Sequence, residues 1–309
     1  MNRNLLALPA VLTAAALALV GCSIGGNGGA SGRSISTAGA PISVVASTDV
    51  WGDIAASVGG DKVKVTSIIT DPAADPHEYE ASTRNQLMLA KAQVIIENGG
   101  GYDDFVDRML KSADNRSATV LNAVKISGKA ASPGGSLNEH VWYDFPSVGK
   151  VVDKIESAYT KADPADASRF QTNADTLKHK LAGLEKREAD LKGQYAGEPV
   201  SITEPVPVYM LDAIGLVDKT PTRFSKAVEE DSDVSAKVLS QTLDLYSNHQ
   251  VMLLVYNAQT SGPETEKVLA AAKQNGIPAT PVTETLPAGA HYVSWMSGYL
   301  DAISSALGN

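Results

Sequence analysis

The sequence has 309 residues and a single cysteine, Cys22. No disulfide can therefore form within the chain, and a thiolate cage for zinc or copper(I) is excluded. It also lacks any basic excess: 26 Lys and Arg stand against 35 Asp and Glu, for a formal net charge of −9. Without a basic footprint, nucleic acid is excluded as a partner. No apolar run reaches the ~20 residues that cross a bilayer comfortably. There is no His-Glu-x-x-His segment and no Gly-x-Ser-x-Gly elbow, the signals of zinc peptidases and of serine hydrolases. What remains, 43% hydrophobic and 20% charged residues, is an ordinary globular balance.

The first segment reads as an address. Arg3 precedes an apolar run from Leu5 to Val20 broken only by Pro9 and Thr13, the pattern of a secretory signal. It ends in Leu19-Val20-Gly21-Cys22, which resembles a bacterial lipobox, so Cys22 is expected to be lipidated and to become the new N-terminus. Acyl chains there would anchor the protein to the outer face of the cell membrane. Residues 22–40, rich in Gly and Ser, cannot bury enough apolar surface to fold and read as a flexible tether.

From Pro41 on, short β-branched runs alternate with helical patterns. Ile42–Ala46, Val63–Ile69, Val94–Glu97 and Ala118–Leu121 read as buried strands, with helices over Val50–Val58, Thr83–Ala92 and Tyr102–Ser112. Asp163-Pro164 is a helix start, and Leu177, Leu181, Leu184 and Leu191 keep one apolar stripe along a helix of ~30 residues, about 45 Å long. The alternation then resumes with strands over Val200–Thr203, Val251–Tyr256 and Ala279–Thr283 and helices over Val234–Tyr246 and Glu264–Gln274. The expected fold is α/β: two lobes with parallel-sheet cores, residues 41–160 and 197–309, linked by one long rigid helix over 161–196. A rigid link implies small motions between the lobes.

The five histidines differ in context. His179 lies among lysines on the long helix, His249 in the polar turn Ser247-Asn248-His249-Gln250, and His291 in a late loop, where none has an evident role. His77 lies in Asp75-Pro76-His77-Glu78-Tyr79-Glu80, just after a strand, where open α/β sheets place ligands. His140 lies in His140-Val141-Trp142-Tyr143-Asp144, at a loop-to-helix junction. Alone, each reads most simply as a structural histidine. Together with the long helix, Tyr256-Asn257-Ala258-Gln259-Thr260 and Thr283-Glu284-Thr285-Leu286, they make the chain, from about Ile42 onward, resemble the metal-binding solute-receptor lipoproteins of zinc and manganese ABC importers.

That resemblance implies a metal held in the cleft between two α/β lobes, with two histidines from the first lobe and two further ligands from the second. Position by position it puts His77 and His140 in the first pair, Glu204 of Thr203-Glu204-Pro205 in the third place, and Glu284 in the fourth. Phe145 intervenes where the family has Asp-Pro directly, which should shift the following helix start and leave His140 in place. Read from the residues alone, Glu204 could be an idle loop carboxylate, and Glu264 or Glu266 could serve in place of Glu284. Imidazoles suit borderline transition metals, and two carboxylates cancel a dication's charge. In the family, glutamate at the third position goes more often with manganese, and zinc receptors often carry a His-rich loop; residues 122–139 hold none. The donor set thus leans to Mn2+, while the Irving–Williams order favours Zn2+ on the same atoms.

The expected protein is an extracytoplasmic, membrane-anchored, monomeric receptor, not an enzyme. It would capture one Mn2+ or Zn2+ per chain and deliver it to an ABC permease. A metal-dependent hydrolase, which would keep one coordination position open for water, and an adhesin-type surface lipoprotein are the alternatives.

Overall fold

The central strands are short and apolar on both sides because helices cover both faces of each sheet. Val94–Glu97 is buried along its whole length, and six of the seven residues of Ile42–Thr48 are. The computed structural model describes residues 39–71, 76–77, 79–80, 82–131 and 136–308. The expected signal peptide, the lipidation position Cys22 and Asp75 of the first histidine motif lie outside them.

In chain order the elements are β1 (Ile42–Thr48), α1 (Asp49–Gly59), β2 (Val63–Ile69), α2 (Thr83–Lys91), β3 (Val94–Glu97), α3 (Asp104–Ala113), β4 (Thr119–Asn122) and α4 (Ala123–Ser127). Then come α5 (Phe145–Ala162), α6 (Ala167–Tyr195), β5 (Pro199–Ile202), α7 (Val208–Ile214), β6 (Val217–Asp218) and α8 (Thr222–Glu229). The chain closes with α9 (Ala236–Ser247), β7 (Leu253–Asn257), α10 (Pro263–Gln274), β8 (Ala279–Val282) and α11 (Tyr292–Leu307). Two four-stranded sheets result, β2-β1-β3-β4 and β6-β5-β7-β8, and every pairing is parallel. This is the α/β architecture that the alternating pattern of the sequence implies.

Local differences from the sequence reading have local causes. The helix expected over Tyr102–Ser112 begins only at Asp104. Ahead of it Gly99, Gly100 and Gly101 take φ of 77°, 75° and 101°, and the Asp103 carboxylate accepts the N–H groups of Asn98 and Gly99 at 2.6 and 2.7 Å. Tyr102 is thereby held in the loop instead of the helix. A Cβ at Gly99 would fall 2.2 Å from Asn122 Nδ2, so only glycine fits. Downstream, Asp144 caps α5 by accepting from Ser147 N at 3.0 Å, so Phe145 becomes the first helical residue and Pro146 the second.

The 29-residue helix α6 joins the two halves, led in by a 3-10 turn over Pro164–Asp166. Leu177, Leu181, Leu184 and Leu191 are all buried, and one apolar cluster runs from the first sheet through α6 and α11 into the second. Polar links cross the same seam. Tyr143 donates its hydroxyl to Thr283 O at 2.7 Å, Tyr292 to Trp142 O at 2.6 Å and Tyr209 to Asn138 O at 2.7 Å. Two aspartates one turn apart on α1 reach the far half: Asp49 accepts from Leu286 N at 3.1 Å, and Asp53 from Tyr292 N at 2.8 Å and His291 Nδ1 at 2.7 Å. Asp53 thus places a negative charge at the N-terminus of α11, where the helix dipole favours it. His291, unassigned from sequence, takes part in this link.

The α6 seam carries one anomaly. Positions 177, 181, 184, 188 and 191 follow a four-three spacing, and the fourth is Glu188 in an otherwise leucine row. It is 5% exposed, and its Oε1 has no hydrogen-bond partner among the described residues. Burial, with Asp144 and Glu185 nearby, pushes its carboxyl up to about 8. The folded chain therefore holds this proton through a range in which the unfolded chain has released it. The contribution to stability is lost as pH rises from the ordinary carboxylate range through about 8. Glu188→Gln, neutral at every pH, should melt above the wild type at pH 8 and close to it at pH 4, as followed by circular dichroism. A gap that does not widen with pH would contradict a protonated Glu188.

Candidate metal centre

The chain leaves β5 for one neighbour and β7 pairs on its other side, so the C-terminal ends of β5 and β7 form a switch point where an open α/β sheet leaves a crevice. Glu204 follows β5, Asn257 ends β7, and Glu284 follows β8. Thr203 Oγ1 accepts from Asn257 N at 2.9 Å, which locks the two strand ends together. The Asn257 side-chain amide then donates to Glu204 Oε2 at 2.5 Å and to Glu284 Oε1 at 2.8 Å. One neutral group thus holds two carboxylates side by side. Gln259 supports the same loop, donating to Thr285 Oγ1 at 2.7 Å and accepting from Glu284 N.

From the first half, His140 comes into contact with this pair. It is 1% exposed, and its Nδ1–H donates to Asn138 Oδ1 at 2.8 Å. That bond leaves Nε2 as the nitrogen facing the carboxylates, 3.8 Å from Glu284 Oε2. A histidine fixed through its other nitrogen is the usual arrangement of a metal ligand. His77 stands with its Nε2 3.7 Å from Glu139 Oε1. Tyr102, held in its loop by the glycine turn, lies edge-on to both imidazoles, with ring centroids 5.1 Å from His77 and 6.0 Å from His140. A cavity of about 200 Å³ is lined by His77, Glu204, Glu229, Gln259, Thr260 and Glu284. The structure therefore gathers His77, Glu204 and Glu284 around one cavity, with His140 against Glu284.

The charges in this crevice are out of balance. Burial raises the Glu204 carboxyl to about 7, even though the Asn257 amide stabilises its ionised form. Burial works against a charged His140, but the charge of Glu284 3.8 Å away, with Glu139 and Glu229 adding to it, outweighs burial and lifts the imidazole to about 9. Burial likewise opposes ionisation of Glu284, and His140 overrides it, holding that carboxyl below its ordinary value. Glu204 Oε1 and Glu284 Oε2 are buried without a hydrogen-bond partner among the described residues. An orphaned buried acceptor costs roughly 1–3 kcal/mol, so folding alone does not account for this set. Two imidazole nitrogens and two carboxylates with spare lone pairs are a suitable donor set for a divalent transition metal.

Comparison with known proteins accords with this geometry. Residues 44–306 match the profile of ZnuA, described as zinc-uptake complex component A, periplasmic. The chain belongs to this family. Among curated relatives, the manganese-binding lipoprotein MntA of Bacillus subtilis is 27% identical over 281 residues, covering 88% of this chain and 87% of its own. Two solved structures share the fold. The periplasmic zinc-binding protein TroA of Treponema pallidum aligns with a TM-score of 0.73 at 18% identity, over 87% of this chain and 99% of its own. The solute-binding protein FpvC of Pseudomonas aeruginosa, solved with Mn2+, aligns with a TM-score of 0.73 at 19% identity, over 86% of this chain and 98% of its own. Family membership agrees with the resemblance carried by the two histidine motifs.

Four contributors carry little or no signal in the sequence. Asn257 and Gln259 lay inside a motif quoted only for likeness, although an Asn at the end of a strand is a natural donor to neighbouring carboxylates. Asn138, two residues before His140, sits in a loop whose composition stands out only for its want of histidine. Glu229 carried no signal at all.

Because His140 holds a proton up to about 9 and Glu204 up to about 7, a metal ion that took both as donors would displace protons on binding. Roughly one to two protons should leave per ion near pH 7.5, and affinity should fall as pH is lowered. Calorimetric titration in buffers of different ionisation enthalpy reads this number directly. A binding heat independent of the buffer would contradict it.

Proposed function

We propose that this protein is an extracytoplasmic receptor that captures one divalent transition-metal ion, Mn2+ or Zn2+, and passes it to the permease of an ABC importer. His77, His140, Glu204 and Glu284 are its ligands. The observation that carries this reading is the pairing of Glu204 and Glu284 on one amide, with an oxygen of each buried and unpartnered, beside an imidazole whose outward nitrogen faces them. The names of relatives agree: MntA is called manganese-binding and TroA zinc-binding, and FpvC was solved with Mn2+.

Capture and release is an equilibrium that breaks no covalent bond, so no nucleophile or general base is required. The metal is cargo, and the protein is not an enzyme. Lipidation at Cys22 would tether a single copy to the outer membrane face, within reach of the permease. Relatives named as lipoproteins support this arrangement, and no helix among the described residues is long and apolar enough to cross a membrane. The lobes of residues 41–160 and 197–309 would then act as two jaws held by the helix of 161–196, with the ion between them. One apolar cluster common to both sheets favours small adjustments at the ligand loops over wide opening.

His77→Ala and Glu204→Ala should each weaken metal binding by more than about 100-fold, beyond the 10–100-fold range of residues that only support a ligand. Asn257→Ala should fall within that range. Competition titration against a chromophoric chelator measures all three. Unchanged affinity in both ligand variants would refute the assignment.

A further inference from the structure

We propose that Glu229 is a fifth donor to the captured ion and that it selects Mn2+ over Zn2+. The proposal rests on the receptor function argued above and adds a ligand outside the four positions implied by the family.

Glu229 comes from the last residue of α8 and lines the same cavity as His77, Glu204 and Glu284. Its Oε1 lies 3.8 Å from His140 Nδ1, and donor atoms of Glu139, His140 and Glu229 all fall within 4.8 Å of one another. The nearby imidazole proton is not available to it, since His140 Nδ1 already donates to Asn138 Oδ1 at 2.8 Å. Glu229 Oε1 is accordingly buried without a hydrogen-bond partner among the described residues. The same side chain also lines a second cavity, of about 460 Å³, together with His77, Glu139, Glu230 and Asp231. Glu229 is thus common to the ligand cavity and to an acidic cavity beside it.

Nothing in the fold rewards an acid at this position. It ends a helix, where exposed carbonyls and the helix dipole disfavour negative charge. Glu139, Glu204 and Glu284 bring further carboxylates to the same surroundings. A cation would relieve all of these. Glu204 Oε1, Glu229 Oε1 and Glu284 Oε2 are three buried carboxylate oxygens with unused lone pairs, which is more than a closed tetrahedral site needs when two imidazoles are added. Zinc is satisfied by four ligands, whereas manganese accepts further hard oxygen donors. An extra carboxylate therefore adds affinity for Mn2+ and little for Zn2+, opposing the Irving–Williams order.

The test compares the full-length wild type with Glu229→Gln, with Glu229→Ala, which also removes the amide oxygen, and with Glu230→Gln, a neighbouring acid at the exposed end of α8. Mn2+ and Zn2+ affinities come from competition titration, folding from circular dichroism, and coordination number from the visible absorption of Co2+-loaded protein. Glu229→Gln should lose about 10-fold or more in Mn2+ affinity and no more than about 3-fold for Zn2+. Its Co2+ bands should intensify as the site becomes tetrahedral. Glu229→Ala should deepen the Mn2+ loss, and Glu230→Gln should match the wild type. An unchanged Mn2+ affinity, equal losses for both metals, an unchanged Co2+ spectrum or a second bound ion would each overturn the fifth-donor assignment while leaving the four-ligand receptor intact. A wild type that binds neither metal would overturn both.

Discussion

Asn257 holds two carboxylates on one side-chain amide, and the organisation of the metal centre follows from that arrangement. Donating to Glu204 and Glu284 together, it keeps two like charges closer than they would remain in water. A neutral amide can do this only partially, because it supplies hydrogen bonds but no net charge. The remaining imbalance passes outward through His140, whose proton is stabilised by Glu284, and through Glu229, whose nearest imidazole N–H is already taken. The crevice is preorganised for a dication in the sense that its groups are held in place before the charge they await arrives.

The same constraint explains the stiffness of the surroundings. Glu284 belongs to the second half by sequence, yet the residues on either side of it are fastened to the first: Thr283 O receives the Tyr143 hydroxyl, and Leu286 N donates to Asp49. Pro205 O, next to Glu204, accepts from Asn138, the residue that also orients His140. The chain beside Glu204 and Glu284 is therefore tied to the first half by one or two hydrogen bonds at each place. Such bonds contribute only about 1 kcal/mol each, but the apolar seam beneath them excludes water and fixes their geometry. Release of an ion through rearrangement of these loops would require breaking few bonds, whereas separating the halves would expose a shared core.

Much of the fold was readable in the sequence because its signals are local and repeated. A strand buried on both faces announces itself as an uninterrupted apolar run, and β3 has the bounds that such a run predicts; β2, half-buried at the sheet edge, also has its predicted bounds. The long helix is legible from four leucines on one stripe. Elements such as α4, α7 and α8 are five to eight residues long, too short for a helical period to rise above chance. For the centre, the histidine motifs pointed to His77 and His140, and resemblance supplied Glu204 and Glu284. Side chains that support or extend the set were hidden, because their meaning depends on distance in space. Asp53 and His291 are 238 positions apart, and Glu229 has no neighbour in sequence to mark it.

Glu188 and Glu229 show why burial of an acid is not one kind of fact. Both carry an unpartnered oxygen, and burial raises both carboxyls to about 8. Glu188 lies in the leucine row of α6, beside an apolar cluster that includes Tyr292 and Trp295, so a proton resolves its charge locally. Glu229 borders a cavity that also holds three other carboxylates and a histidine, where protons could resolve the charge only by occupying several sites at once. A single divalent ion resolves all of them together, and gains from each carboxylate it neutralises. That difference in surroundings, rather than any difference in the acids, separates a feature that bears on stability from one that bears on cargo.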